Sequence, residues 1–111
     1  MLIESLTTEG ITPETSRPEH VVEGDPVHTT WNLDDDRGLF CGIWQSTPGA
    51  WRATYAEWEY IHVHHGHAVL EGDDGTRTAI GPGDSLVLRP GWSGIWRVSE
   101  TLRKDYVILL R

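Results

Sequence analysis

The fold is decided by residues 59–96, which read EYIHVHHGHAVLEGDDGTRTAIGPGDSLVLRPGWSGIW. Short runs of β-branched, aromatic and aliphatic residues alternate here with turns that contain glycine. The clearest turn is Asp73-Asp74-Gly75, whose glycine can take a positive φ. Gly81-Pro82-Gly83-Asp84 and Pro90-Gly91 lie at the two ends of another short run. This pattern predicts antiparallel hairpins and is typical of an all-β sandwich or barrel.

The same pattern continues on both sides of this stretch, and no window of helical length shows a helical apolar period. The predicted strands are residues 42–45, 51–63, 67–71, 76–80, 85–89, 95–98 and 106–110. Residues 1–23 contain scattered glycine, proline and acidic residues, which predicts an extended N-terminal arm with at most short strands. Residues 24–111 are then expected to form one barrel domain.

Composition and charge limit the classes of partner. Seventeen acidic against nine basic residues give a formal charge of −8, which repels phosphate groups, so we expect neither nucleic acid nor membrane as a partner. The single cysteine, Cys41, cannot form an internal disulfide, and the sequence has neither a basic, apolar leader nor an apolar run of membrane length. These features predict a cytoplasmic location.

Landmarks of two consecutive motifs lie in the same stretch. Glu59 is followed after six residues by Gly66, and the Gly83-Asp84 turn, Pro90-Gly91 and Trp96 come later. With these landmarks, residues 24–110 resemble the cupin-3 family, in particular the cupin domain of ureidoglycine aminohydrolase. The resemblance implies a single-domain cupin, which is a double-stranded β-helix or jelly-roll barrel, and it implies a homodimer.

The resemblance also implies where a metal ion would be held. Metal-binding cupins use a pair of histidines, a glutamate and a third histidine. Glu59 occupies the glutamate position, but the pair falls on residues 53 and 55, or on 52 and 54 with a longer gap, and none of these is histidine. Gly94 occupies the position of the third histidine. Because three of the four ligands are absent, no metal cofactor is expected.

A pocket follows from the alternation of side chains along a strand. If Glu59 points into the barrel, the other odd-numbered residues from 55 to 63 do so too, and Gly94 and Trp96 point inward together. A buried carboxylate without a metal needs a cation or a hydrogen bond. We therefore expect an aromatic-lined pocket in which Glu59 is a candidate acid/base. The predicted pocket residues are Trp44, Tyr55, Glu59, Trp96, Arg89 and Lys104.

Histidines cluster in the run from residue 62 to residue 67. His62 and His64 have the opposite parity to Glu59, which predicts that they lie outside the barrel on a solvated or subunit-contacting face. Because they are two residues apart on one strand face, an unconventional metal site outside the barrel is the alternative. His65 and His67 could reach the barrel mouth, and together with Glu59 they are the candidate ligands if a metal is bound. A bulge in this run would reverse which residues point inward.

Three functions stay open at this point. The first is metal-independent binding of a small-molecule metabolite in the barrel. The second is a metal-dependent enzyme resembling ureidoglycine aminohydrolase or a related cupin lyase or isomerase. The third is a dimerisation barrel whose interior is filled by side chains, to which six tryptophans would contribute. The sequence leaves open whether the chain is an enzyme, and it does not name the ligand.

Overall fold

The computed structural model describes residues 2–110, which form one curled antiparallel sheet of nine strands. The strands are β1 (Glu14–Ser16), β2 (Val21–Gly24), β3 (His28–Asp36), β4 (Leu39–Ser46), β5 (Gly49–Thr54), β6 (Trp58–Gly72), β7 (Arg77–Ile80), β8 (Ser85–Leu88) and β9 (Ser93–Leu109). The predicted all-β class is confirmed. Met1 and Arg111, which end the predicted arm and barrel, lie outside the described residues. Residues 2–110 contain no helix that is long and apolar enough to cross a membrane.

The longest strand, β9, connects the parts of the sheet. Its first residues pair with β5 and its last residues with β4, while β6 runs antiparallel to both parts. The sequence pattern predicts two separate strands in place of β9. It also predicts one strand at 51–63, which joins β5 to the start of β6, and a separate strand at 67–71 for the rest of β6. Both strands instead continue through irregular pairing, because a bulge lets a strand bend from one side of the barrel to the other without ending.

The bulge at Gly66 reverses the side-chain alternation of β6. Gly66 has a φ of 87°, and the pairing of β6 with β9 shifts register on both sides of it. Before the bulge the buried residues include Glu59 and Val63, whereas after it they are Ala68 and Leu70. The inward side chains therefore change from odd to even numbers at this point. A Cβ on Gly66 would lie 2.2 Å from a carbonyl oxygen of β9, so only glycine fits there.

The predicted N-terminal arm is part of the sheet. Strand β1 pairs with β3, and β2 pairs with β5. Strand β3 in turn pairs with β4 along its length. The first 36 residues therefore contribute three strands, and β1 and β3 bring side chains to the barrel interior.

The turns predicted at residues 73–75, 81–84 and 90–91 are observed, and each holds a glycine at positive φ. They place short strands β7 and β8 against β6. Inward side chains of these strands join the core with those of β5, β6 and β9. The buried core consists of Trp51, Ile61, Val63, Ala68, Leu70, Ile80, Leu88, Trp96, Val98, Leu102 and Tyr106.

Candidate functional site

A cavity of about 640 Å³ lies inside the barrel, so the side chains do not fill the interior. Every second side chain of a strand points toward the cavity, and the lining residues of β4 and β9 are accordingly all even-numbered. The lining residues are Thr12, Glu14, His28, Thr30, Asn32, Asp35, Phe40, Trp44, Trp51, Tyr55, Glu59, Trp96, Lys104, Tyr106 and Ile108.

A buried ion pair lies in the cavity wall. The Nζ of Lys104 is 3.1 Å from Oε2 of Glu59, and the two side chains are 5% and 7% exposed. Two charges removed from water need close geometry and further partners to offset their desolvation. Lys104, which is the only lysine in the sequence, is therefore the cation that the buried glutamate was predicted to need.

Indole rings surround the ammonium group of Lys104. Its Nζ lies 4.5 Å from the ring centroid of Trp44 and 4.8 Å from that of Trp96, which is within the range of cation–π attraction. Trp51 stacks on Trp96 with 6.0 Å between centroids and 4° between planes. The three tryptophans form a continuous aromatic wall beside the ion pair.

His28 extends this wall, although the sequence pattern did not identify it as a site residue. Its ring centroid lies 4.7 Å from that of Trp44 and 4.5 Å from that of Trp51. Burial, and secondarily the charge of Lys104, lowers the pKa of His28 to about 4, so the imidazole is neutral at pH 7. Its Nε2 is buried and has no hydrogen-bond partner among residues 2–110. A buried nitrogen without a hydrogen-bond partner is uncommon in folded proteins.

Phenol and amide groups provide polar positions in the same lining. The hydroxyl of Tyr106 donates a hydrogen bond to Oδ1 of Asn32. Burial raises the pKa of the Tyr106 phenol. Burial also raises the pKa of the Tyr55 phenol, with a further contribution from the charge of Glu59. Both phenols therefore stay protonated at neutral pH and can donate hydrogen bonds.

The charge of the lining is negative. Three carboxylates, Glu14, Asp35 and Glu59, line the cavity with one ammonium group, that of Lys104. With His28 neutral, three negative charges against one positive leave the lining at −2. Because the whole chain carries −8 as well, the field at the cavity disfavours anions.

The residues at the expected metal-ligand positions do not fit a metal ion. Glu59 is the one ligand retained, and its carboxylate already contacts an ammonium group. A Cβ on Gly94 would lie 2.2 Å from the carbonyl oxygen of Glu71 and 2.8 Å from the ring of Trp92, so this position has no space for a histidine. Across residues 2–110, no three His, Cys, Asp or Glu side chains are grouped so as to hold a metal.

Five of the six predicted pocket residues lie together. They are Trp44, Tyr55, Glu59, Trp96 and Lys104. The sixth, Arg89, does not lie in the pocket as predicted, because it is exposed and absent from the lining. The preceding residue, Leu88, is buried, so alternation turns Arg89 outward. Glu57, also expected inward, is not in the lining, since residues 55–57 connect β5 and β6 outside regular strand geometry.

His65 and His67 do not lie at the barrel interior, where they were predicted as candidate metal ligands. Both are exposed, and Nδ1 of His67 lies 3.4 Å from Oε1 of Glu100. The reversal at Gly66 turns β6 so that neither histidine lines the cavity with Glu59. Glu59, His65 and His67, the candidate ligands for a metal, are therefore not brought together.

His62 and His64 lie outside the barrel, as their parity predicts. Nδ1 of His62 is 2.7 Å from Oγ of Ser85, and Nε2 of His64 is 2.8 Å from Oδ1 of Asp105. Their rings are 5.3 Å apart on the outer face of β6. They are not part of the cavity.

Several solved structures share this architecture. A protein of unknown function from Pseudomonas syringae pv. tomato, which belongs to the DUF861 family, has a TM-score of 0.82 and 25% identity over 93% of this chain and 46% of its own. The present chain thus spans less than half of that protein. The EutQ protein of Clostridium difficile has a TM-score of 0.68 and 21% identity over 76% of this chain and 68% of its own.

A third structure, described as a predicted oxalate decarboxylase from Thermotoga maritima, has a TM-score of 0.71 and 18% identity over 97% of this chain and all of its own, 100%. Such likeness supports the fold alone. No curated protein matches the sequence significantly. The finer resemblance to ureidoglycine aminohydrolase stays a prediction. The family model of the EutQ-like cupin domain, however, matches residues 33–106. The chain therefore belongs to the family of EutQ-like cupin domains.

Proposed function

We propose that this cupin binds a small uncharged or positively charged metabolite in its barrel cavity, without the metal centre of metal-binding cupins. The ion pair between Glu59 and Lys104 is the observation that carries the proposal. In metal-binding cupins the corresponding glutamate holds a metal ion together with three histidines. Here a lysine ammonium 3.1 Å away neutralises the carboxylate.

The arrangement of ligands argues against a metal centre. Metal affinity depends on the number and geometry of ligands. Only Glu59 is retained among the four expected positions, and Gly94 has no room for the third histidine. For this reason the metal-dependent enzyme, including one resembling ureidoglycine aminohydrolase, has less support than the metal-free pocket.

The lining favours a bound small molecule over a filled interior. Ligand cavities are commonly about 300–1,000 Å³, mostly apolar, with a few convergent polar groups. This cavity has about 640 Å³, an aromatic wall of three tryptophans, and polar positions that include the phenols of Tyr55 and Tyr106. A barrel serving only for dimerisation would have no need of this space. The homodimer and the cytoplasmic location are still predictions.

The charge of the ligand follows from the charge of the walls. Lys104 is already paired with Glu59, so it offers little excess positive charge to an anion. Glu14 and Asp35 are both exposed carboxylates in the lining, and they would repel an approaching carboxylate or phosphate. An uncharged or cationic compound meets no such barrier.

Thermal-shift measurements test this proposal on the full, untagged chain. The panel contains uncharged polyols, aldehydes and ketones, primary amines, carboxylates and phosphates. We expect uncharged or cationic compounds to raise the melting temperature, because a ligand that binds only the folded state stabilises it. The shift should disappear in Trp44→Ala, which opens the aromatic wall.

Trp31→Ala is the matched control. Trp31 is half-buried like Trp44 but lies outside the cavity, where the guanidinium carbon of Arg103 is 5.0 Å from its ring centroid. The shift should persist in this variant. Stabilisation by anions alone, or equal stabilisation of Trp44→Ala and wild type, would contradict the proposal.

A further inference from the structure

We propose that Lys104 is a nucleophile that condenses with a small uncharged aldehyde or ketone in the cavity, with Glu59 accepting and returning a proton. The proposal rests on the proposed function, since it requires that the cavity admits small molecules. It adds a covalent step and names the carbonyl group as the feature recognised.

The placement of Lys104 is the first argument. Lysine is almost never fully buried unless it is paired, and the only lysine of this chain, which is paired with Glu59, has a 5% exposed side chain and lines the cavity. The other eight of the nine Lys and Arg side chains are arginines, which cannot lose their proton in proteins. A primary amine that faces a cavity walled by indole rings can condense with a carbonyl compound to form a Schiff base.

The position of Glu59 supplies the required proton transfers. Its Oε2 lies 3.1 Å from Nζ, within reach of direct transfer. The carboxylate takes one proton from the ammonium as a carbonyl compound approaches. The Nζ lone pair then forms the nitrogen–carbon bond, and the carbonyl π pair moves to oxygen, which takes a second proton from nitrogen. The product is a carbinolamine.

The second half of the step restores Glu59 to its charged form. The carboxylic acid donates its proton to the carbinolamine hydroxyl, the carbon–oxygen bond breaks, and water leaves. The nitrogen lone pair forms the carbon–nitrogen double bond. Ammonium and carbonyl compound thus give a protonated imine and one water molecule, with no oxidant or reductant.

The aromatic wall favours this product as well as the starting state. The protonated imine keeps one positive charge at the position of Nζ, which lies 4.5 Å and 4.8 Å from the ring centroids of Trp44 and Trp96. Both ring faces and the restored carboxylate of Glu59 therefore continue to stabilise the charge. The condensation does not require a buried charge to be lost.

Reductive trapping tests the proposal on the full, untagged chain. The protein is incubated with benzaldehyde or butanone and sodium cyanoborohydride, and adducts are located by intact mass and peptide mapping. The terminal α-amino group is the only other primary amine in the chain and serves as an internal reference. We expect Lys104 to be modified at least about tenfold faster than this amine. In concentrated urea the preference should vanish.

Two variants distinguish the roles of the residues. In Glu59→Gln we expect trapping at Lys104 to slow by about 100-fold, because the proton carrier is removed. Glu57→Gln is the matched control, since Glu57 lies outside the lining, and it should trap at the wild-type rate. The comparison uses only variants whose near-ultraviolet circular dichroism matches that of wild type.

The outcomes separate this inference from the proposed function. Modification of Lys104 no faster than the α-amino group in folded wild type would overturn the inference. If the same carbonyl compounds nevertheless raise the melting temperature, the binding proposal stands and only the covalent step fails. If no compound of any class binds or is trapped, both fail.

Discussion

Lys104 and Glu59 face each other inside the barrel, with 3.1 Å between Nζ and Oε2 and both side chains less than a tenth exposed. They come from adjacent strands, β9 and β6, whose pairing places Lys104 opposite Val63 and Glu59 opposite Ile108. The contact is therefore diagonal across the sheet, over a distance that a long lysine side chain can span. Removing either partner would leave the other charge buried and unpaired.

We predict that Glu59→Gln lowers the free energy of unfolding by about 3–5 kcal/mol, because it leaves the ammonium group of Lys104 buried without a counter-ion. The double variant Glu59→Met/Lys104→Met should lie within about 2 kcal/mol of wild type, since it removes both charges and retains apolar volume. Urea unfolding followed by tryptophan fluorescence measures both values.

Glu57→Gln controls for the loss of one negative charge near this site, and it should change the free energy of unfolding by no more than about 0.5 kcal/mol. The single variants Glu59→Met and Lys104→Met complete the cycle. If the loss in Glu59→Met/Lys104→Met equals the sum of the losses in these two, the pair is not coupled, contrary to this prediction.

The lowered pKa of His28 predicts that the free energy of unfolding depends on pH. Its pKa is lowered to about 4 in the fold, from 6.5 when free. Between these values the unfolded chain binds a proton that the folded chain does not. The free energy of unfolding therefore falls as pH drops from 6.5 toward 4, by about 2 kcal/mol after allowance for partial exposure.

Urea unfolding at several pH values between 4 and 7.5 measures this loss, and His28→Phe should remove about 2 kcal/mol of it. His20→Phe is the matched control, because the His20 side chain is 73% exposed, and it should retain the wild-type profile. Identical profiles for His28→Phe and wild type would refute the assignment.

The surroundings of Gly94 predict that no side chain fits at the position of the third cupin histidine. Gly94→Ala should lower the free energy of unfolding by about 3 kcal/mol, because its Cβ would lie 2.2 Å from the carbonyl oxygen of Glu71. Thermal or urea unfolding measures the loss.

Gly81→Ala is the control, since neither glycine has a positive φ. A Cβ on Gly81 would meet only the exposed ring of His67 within 3 Å, which can rotate away, so the loss should stay below about 1 kcal/mol. Equal losses in the two variants would mean that Gly94 is not confined as the structure indicates.

Strand alternation explains how much of the site is predictable from the sequence. The inward direction of Glu59 and Trp96 follows from a period of two, and both line the cavity. Arg89 is expected in the pocket as a cation for the buried carboxylate, but it directly follows buried Leu88 and has the opposite parity. Strand alternation applied to Leu88 and Arg89 therefore predicts the outward direction of Arg89.

Two features depend on pairing between distant segments, which a single sequence does not display. The bulge at Gly66 reverses β6, and this displaces His65 and His67 from the interior. His28 lies in a stretch that the glycine and proline residues made look irregular, yet β3 pairs with β4 and brings His28 against the tryptophans. The β-branched Thr29 and Thr30 that follow His28 are the local signal that could have indicated a strand.

The most direct test of the metal-free site is elemental analysis of untagged protein, purified without added metal, for wild type and Glu59→Gln. The predicted result is less than about a tenth of an equivalent of any transition metal in both proteins, because one carboxylate paired with lysine is a poor metal site. Stoichiometric metal in wild type that is lost in Glu59→Gln would contradict the account and make Glu59 a metal ligand.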